Sequence, residues 1–284
     1  MTNAFKKLFG GINLTWPKLI IAAVIAGIFT AAMAIIPAVH FTSFNTITVT
    51  LEVWILFGIL IIMNSKSNLD SALKCFVFFL ISQPLVYLIQ VPFSDMGWGL
   101  FSYYRFWFIW TILCLPMGFI GYYIKMGKWW GYLILLPMVL ITATSLYKYM
   151  NYFIFYRPFY ILITIFCACA MIFYPVLIFE NKKIKITGAI IGAVIATAIV
   201  ALAAIRPMGY STEVISSGEE YTFDDSYKVS FADDKYGDIE IKYDSSLEDY
   251  VVYADFKRGG KTSIILESPS GEKKEFDIMI KMDT

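Results

Sequence analysis

Apolar residues in the first 205 positions come in long unbroken runs rather than at the spacing of an amphipathic helix or a half-buried strand. Seven runs stand out: Leu19–Val39, Phe44–Met63, Cys75–Phe93, Phe106–Ile124, Trp129–Tyr147, Pro158–Phe179 and Ile186–Ile205. Each is close to the ~20 residues a helix needs to cross the hydrocarbon of a bilayer. The second run is the weak member. Its uninterrupted part, Val53–Met63, is short, and Glu52 stands just before it. It crosses only if Glu52 reaches the headgroup region or a polar cavity. Beyond Tyr210 the period changes to two. Asp238–Tyr243 and Phe276–Lys281 alternate apolar with polar, and Tyr227–Phe231, Tyr250–Phe256 and Lys261–Glu267 read as further strands. Lys235-Tyr-Gly237, Arg258-Gly-Gly-Lys261 and Pro269-Ser-Gly-Glu272 supply the turns between them. The pattern predicts an α-helical multi-pass membrane bundle of seven helices, followed by a small all-β sandwich of six or so strands.

Composition agrees with the membrane class. Hydrophobic residues make up 58% of the 284 residues and charged ones only 16%, with a mean hydropathy of +0.66; soluble domains sit near about 25% charged. The net charge of +1 conceals two unlike parts. Residues 210–284 hold eighteen Asp/Glu against nine Lys/Arg, a charge of −9, and residues 1–209 hold four against fourteen, a charge of +10. The domain boundary is therefore read as 1–209 and 210–284. Charge also sets the orientation, because cytoplasmic loops carry the excess of Lys and Arg. With the N-terminus inside, the cytoplasmic pieces hold Lys6, Lys7, Lys18, Lys66, Lys74, Lys125, Lys128, Lys182, Lys183 and Lys185. The opposite pieces hold only Arg105, Lys148, Arg157 and Arg206. Seven crossings leave the acidic tail outside the cytoplasm. Trp16, Trp54, Trp98, Trp129 and Trp130 fall near predicted helix ends, where amphipathic rings sit at the membrane interface. The first run has the length of a full span and is read as a retained helix rather than a signal peptide.

The residues that carry most enzyme chemistry are scarce. His40 is the single histidine, which nearly excludes His-based metal sites and Ser-His-Asp triads; it is read as an ordinary interfacial residue. Phosphate-cradling glycine loops and His-Glu-x-x-His are absent. No catalytic residue, cofactor or metal site is expected, and no nucleic-acid partner. Cys75, Cys114, Cys167 and Cys169 all lie in apolar runs, so the tail has no disulfide of its own. Cys167 and Cys169 point about 200° apart on a helix, which favours packing over metal binding. The pairs Asp224-Asp225 and Asp233-Asp234 lack the spacing of a calcium loop. Asp70 and Lys74, four apart, form an ordinary surface pair. Ala23, Gly27 and Ala31, and Gly188, Gly192 and Ala196, are small-residue faces that serve helix packing within the bundle or between two copies.

The last hairpin of the tail, with Gly260-Lys261-Thr262 at its start and Phe276–Lys281 as its closing alternating strand, resembles that of bacterial immunoglobulin-like surface modules. The resemblance covers about a quarter of the chain and implies a non-catalytic interaction module.

One constellation in the membrane part suggests a ligand. Gln83, Tyr87 and Gln90 recur at i, i+4 and i+7, which aligns them on one helical face, and Pro84 frees a carbonyl one turn earlier. Polar groups in hydrocarbon face the bundle interior or a cavity. With Glu52, Asp95 and Arg105 read at the same outer level, they outline a polar, outward-opening pocket; the alternative is that Gln83 and its neighbours hydrogen-bond helices together. Three functions follow in order. The first is a bacterial envelope protein of the plasma membrane displaying its β domain to a protein or glycan partner. The second is a transporter or channel component using that pocket, and the third a membrane enzyme acting on lipid or glycan with Glu52, Asp95 and Arg105.

Overall fold

The computed structural model describes residues 7–40, 42–48, 50–155, 159–205, 209–218 and 221–280. Lys6, Arg157, Pro158, Arg206 and Lys281, which enter the readings above, lie outside the described residues. The chain divides into two compact units, Met1–Tyr149 with Phe159–Val200, and Met150–Pro158 with Ala201–Thr284.

Among the described residues seven long helices follow one another: α1 (Trp16–Ile35), α2 (Glu52–Met63), α3 (Asn68–Gln90), α4 (Tyr104–Gly121), α5 (Trp129–Phe155), α6 (Ile161–Ile178) and α7 (Lys182–Ile205). All but α2 are long and apolar enough to cross a membrane. Local chemistry sets the ends. A proline opens α1, where its missing N–H costs nothing. Ser67 Oγ accepts from Asp70 N at 3.2 Å while Asp70 Oδ2 accepts from Lys66 N at 2.8 Å, a reciprocal cap at the start of α3. Of the second predicted run, only 12 residues form α2, about 18 Å of helix; Asn45–Thr48 is a separate 3₁₀ turn.

Side-chain contacts show that the helices alternate in direction. Asn64, after α2, donates to Leu8 O and accepts from Ile12 N, both ahead of α1. Across that same end, Asn68 Nδ2 donates to Phe119 O, Tyr122 Oη to Lys66 O and Lys125 Nζ to Ser65 O. At the other end, Asn45 Nδ2 donates to Met33 O and Ser43 Oγ to Phe159 O, and the Tyr149 and Tyr160 rings stack. The lysines around residues 7–18, 66–74 and 125–128 thus share the end at which α1 begins, and the contacts of α6 and α7 bring 182–185 to it as well.

Both small-residue faces are used inside the bundle. A Cβ on Gly27 of α1 would stand 2.9 Å from Ser82 O of α3, and one on Gly192 of α7 only 2.3 Å from Met171 O of α6. Two surface readings are corrected. Trp54 is no interfacial ring: it is 2% exposed, packs between Phe57, Phe79 and Trp107 and donates from Nε1 to Ile47 O. Lys74 is no surface partner: its side chain is 3% exposed and holds Asp70 at 2.7 Å.

Among the described residues the second unit carries six strands: β1 (Tyr210–Ser216), β2 (Lys228–Phe231), β3 (Gly237–Asp244), β4 (Asp249–Phe256), β5 (Gly260–Glu267) and β6 (Lys273–Ile280). They form two antiparallel three-stranded sheets, β1-β4-β3 and β2-β5-β6. Alternation delivers one face of each to a shared core of Phe231, Ala254, Phe256, Ile264 and Ile280, continued by Phe223, Val252 and Leu266. β1, with a register shift between Glu213 and Ile215, is the strand that the sequence pattern leaves unmarked, since that irregularity breaks the period of two. At Gly237 the chain turns into β3 with φ 147°, where a Cβ would stand 2.0 Å from Asp255 O.

Candidate functional site

Glu52 opens α2 and is fully buried, 2% exposed. Its carboxyl faces a polar set on two other helices: Tyr149 of α5 and Cys167 and Tyr174 of α6 all interact with it electrostatically. Cys167 and Tyr174 are seven apart and so share one face of α6. The Tyr149 hydroxyl also lies against the hydroxyls of Thr46 and Thr50, whose own protons go to Ser43 O and Thr46 O. Among the described residues, Glu52 Oε2 and the Tyr174 hydroxyl have no hydrogen-bond partner. A buried acid in hydrocarbon surroundings is costly to keep. This set is therefore a candidate for function rather than stability.

The other residues of the predicted pocket belong to α3, the loop after it and α4. Gln83 and Tyr87 lie on the buried face of α3. The Tyr87 ring packs against Phe101 and Tyr104, and its hydroxyl faces the Trp107 indole. Gln83 Nε2 has no hydrogen-bond partner among the described residues. Gln90 is half-buried and donates Nε2 to Val86 O at 2.9 Å within its own helix. Asp95 and Arg105 are exposed. Pro84 lies inside an uninterrupted helix. His40, also exposed, places Nε2 2.9 Å from Ala34 O.

A cleft of about 350 Å³ lies elsewhere, between α2, α4 and α5, and none of the six pocket residues lines it. Its wall includes Trp54, Gly58, Ile62, Trp107, Trp110, Cys114, Pro116, Ile120, Pro137 and Met138. Pro116 and Pro137 sit inside α4 and α5. A helical proline removes a backbone hydrogen bond and can kink the helix. Gly58 faces them with no atom within 4 Å of where its Cβ would be. Those facing prolines and the glycine were the sequence signal for this cleft, but it takes the fold to show that they meet.

Surface acids of the β region are engaged locally. Asp224 accepts from the Ser226 hydroxyl and, at 2.9 Å, from Ser226 N, bonds that hold its carboxyl below the usual range. Asp233 pairs with Lys235, which does the same there. Compared with protein-family models, curated proteins and solved structures, the chain matches none. The immunoglobulin-like resemblance thus has no support from a related protein.

Proposed function

We propose that the chain is a multi-pass plasma-membrane protein of the cell envelope, with its N-terminus cytoplasmic and its tail held outside as a non-enzymatic β-sandwich module for a protein or glycan partner. The observation that carries this reading is the sorting of charge along the bundle. Lys18, Lys66, Lys125, Lys128, Lys182, Lys183 and Lys185 gather at the end where α1 begins, and α7 starts at that end and is followed in the chain by the acidic tail. Positive residues mark the cytoplasmic side. The sheet order supports the module: β1-β4-β3 and β2-β5-β6 follow strands B-E-D and C-F-G of a constant-type immunoglobulin sandwich lacking its first strand. The disulfide and tryptophan of antibody domains have no counterpart in the tail, so apolar packing alone holds the two sheets. Single cysteines at Ser245 and at Lys183, in a cysteine-free background, test the topology with an impermeant thiol reagent on intact cells. Ser245 is expected to label and Lys183 to stay protected; the reverse pattern sinks the reading.

One observation favours a second reading, in which the bundle passes a proton or small cation. Glu52 is buried among Tyr149, Cys167 and Tyr174 with an oxygen that has no partner among the described residues, and intramembrane acids mark ion routes. In proteoliposomes under an imposed ion gradient, this reading expects flux that Glu52→Gln abolishes and Gln83→Leu spares. Absence of flux from the wild type leaves the display role.

A further inference from the structure

The cleft beside Gly58 has no part in either reading above. Its wall is apolar throughout, and exposed Pro116, Met117, Ile120 and Pro137 rim it, so it opens on the bundle's lipid-facing surface. Water does not fill apolar cavities, and an empty one forfeits the dispersion contacts of its lining. The occupant must therefore be hydrocarbon. The cleft follows α2 from Leu51 to Ile62, about 17 Å of helix, close to half of the ~30 Å hydrocarbon thickness. That is the reach of a single leaflet. Its volume of about 350 Å³ lies at the small end of the roughly 300–1,000 Å³ of ligand sites, room for a chain but not for a headgroup.

Charge identifies the head. The chain leaves the cleft at Ile62 and Ile120, which run on together to Lys66 and Lys125: a Cβ on Gly121 would stand 2.7 Å from Ile62 Cδ1, and Tyr122 and Lys125 donate to Lys66 O and Ser65 O. Among the described residues, the acid that faces Lys66, Lys74 and Lys125 is Asp70. It pairs with buried Lys74 at 2.7 Å and accepts from Lys66 N, so the ammonium of Lys66 is left exposed. Lys125 donates to Ser65 O at 2.6 Å and stands 4.8 Å from the centre of the Tyr122 ring; an ammonium has three protons, so it can still donate to an anion. Three lysines against one aspartate make this mouth cationic.

We infer that the cleft holds one acyl chain of an anionic phospholipid from the leaflet on the lysine side, with its phosphate between Lys66 and Lys125. The inference rests on the helices spanning a bilayer and is indifferent to the role of the β region.

Full-length protein in mild detergent, titrated with phosphatidylglycerol or with phosphatidylcholine of the same chains, tests it by native mass spectrometry. One phosphatidylglycerol is expected to remain bound in preference to phosphatidylcholine. Lys66→Gln with Lys125→Gln is expected to erase that preference by about thirtyfold, the effect of two lysines near an anionic surface. Gly58→Phe, which puts a ring into open space, is expected to weaken both lipids roughly tenfold or more, with helical circular dichroism unchanged. Ile134→Trp fills the cleft from α5 and replaces it should Gly58→Phe fail to fold. Equal retention of the two lipids by the wild type, or wild-type retention by a folded cleft-filling variant, overturns the inference. Neither result touches the topology, which the cysteine labelling tests separately.

Discussion

Gly237→Val is expected to unfold the β region while leaving the helical bundle intact. Two costs add at this position. The backbone sits at φ 147°, in a region that side-chain-bearing residues adopt at about 1–3 kcal/mol. The new Cβ would also stand 2.0 Å from Asp255 O and 3.0 Å from Asp255 C, which are backbone atoms of β4, the central strand of its sheet. Relief requires β3 to part from β4, and that pairing runs from Gly237 opposite Phe256 to Asp244 opposite Asp249. A domain of this size without disulfides has only about 3–5 kcal/mol of stability to lose, so the substitution consumes most of it. Limited proteolysis of the full chain reads the result. Cleavage within residues 210–280 should become fast, with the bundle surviving as a protected fragment. A tail as resistant as the wild type's contradicts the strand pairing described here.

The second large effect is expected in the bundle. Gly192→Leu places a Cβ 2.3 Å from Met171 O and 2.8 Å from Met171 C, so α6 and α7 must separate before the side chain fits. Lipid tails are as apolar as leucine, and helices in a membrane are held by close backbone approach rather than by exclusion of water. The separation therefore has no hydrophobic compensation. Overpacking of this kind costs about 1–3 kcal/mol or more, a fall of roughly 2–12 °C in melting temperature for a unit this size. Gly58→Ala is the control, since no atom lies within 4 Å of the added carbon and alanine is the better helix former; its melting temperature should hold or rise. Equal behaviour of the two variants in a thermal unfolding series would mean that α6 and α7 do not pack through Gly192.

The glycines at these two positions show how differently the sequence speaks for the two kinds of contact. Gly188, Gly192 and Ala196 announce a close-packing face by spacing alone, but a face that fits α6 fits a second copy of α7 equally well. Only the position of Met171 and Pro175 against it decides for the interior. Glu52 poses the same problem. Its place at the head of a short apolar run is visible in the sequence, as is the requirement that it find polar company. That company turns out to be Tyr149, Cys167 and Tyr174, more than ninety residues away, rather than Asp95 and Arg105, which stay exposed.

What the sequence by itself determined is the part of the structure that solvent acts on segment by segment. A bilayer tests each run of about 20 residues for its own transfer energy, so seven apolar helices, six of them long enough to cross, and the shortness of α2 could be read from hydropathy. A pleated strand with one wet face writes its period of two into the chain, so five of six strands could be read the same way. What only the tertiary structure decided is which faces of those segments meet. In a membrane helix nearly every side chain is apolar, so burial leaves no periodic mark to say that Trp54 turns inward, that Lys74 is covered, or that Gly58 looks across at two prolines. Those outcomes depend on neighbours distant in sequence, and the cleft and the buried carboxyl both arise there.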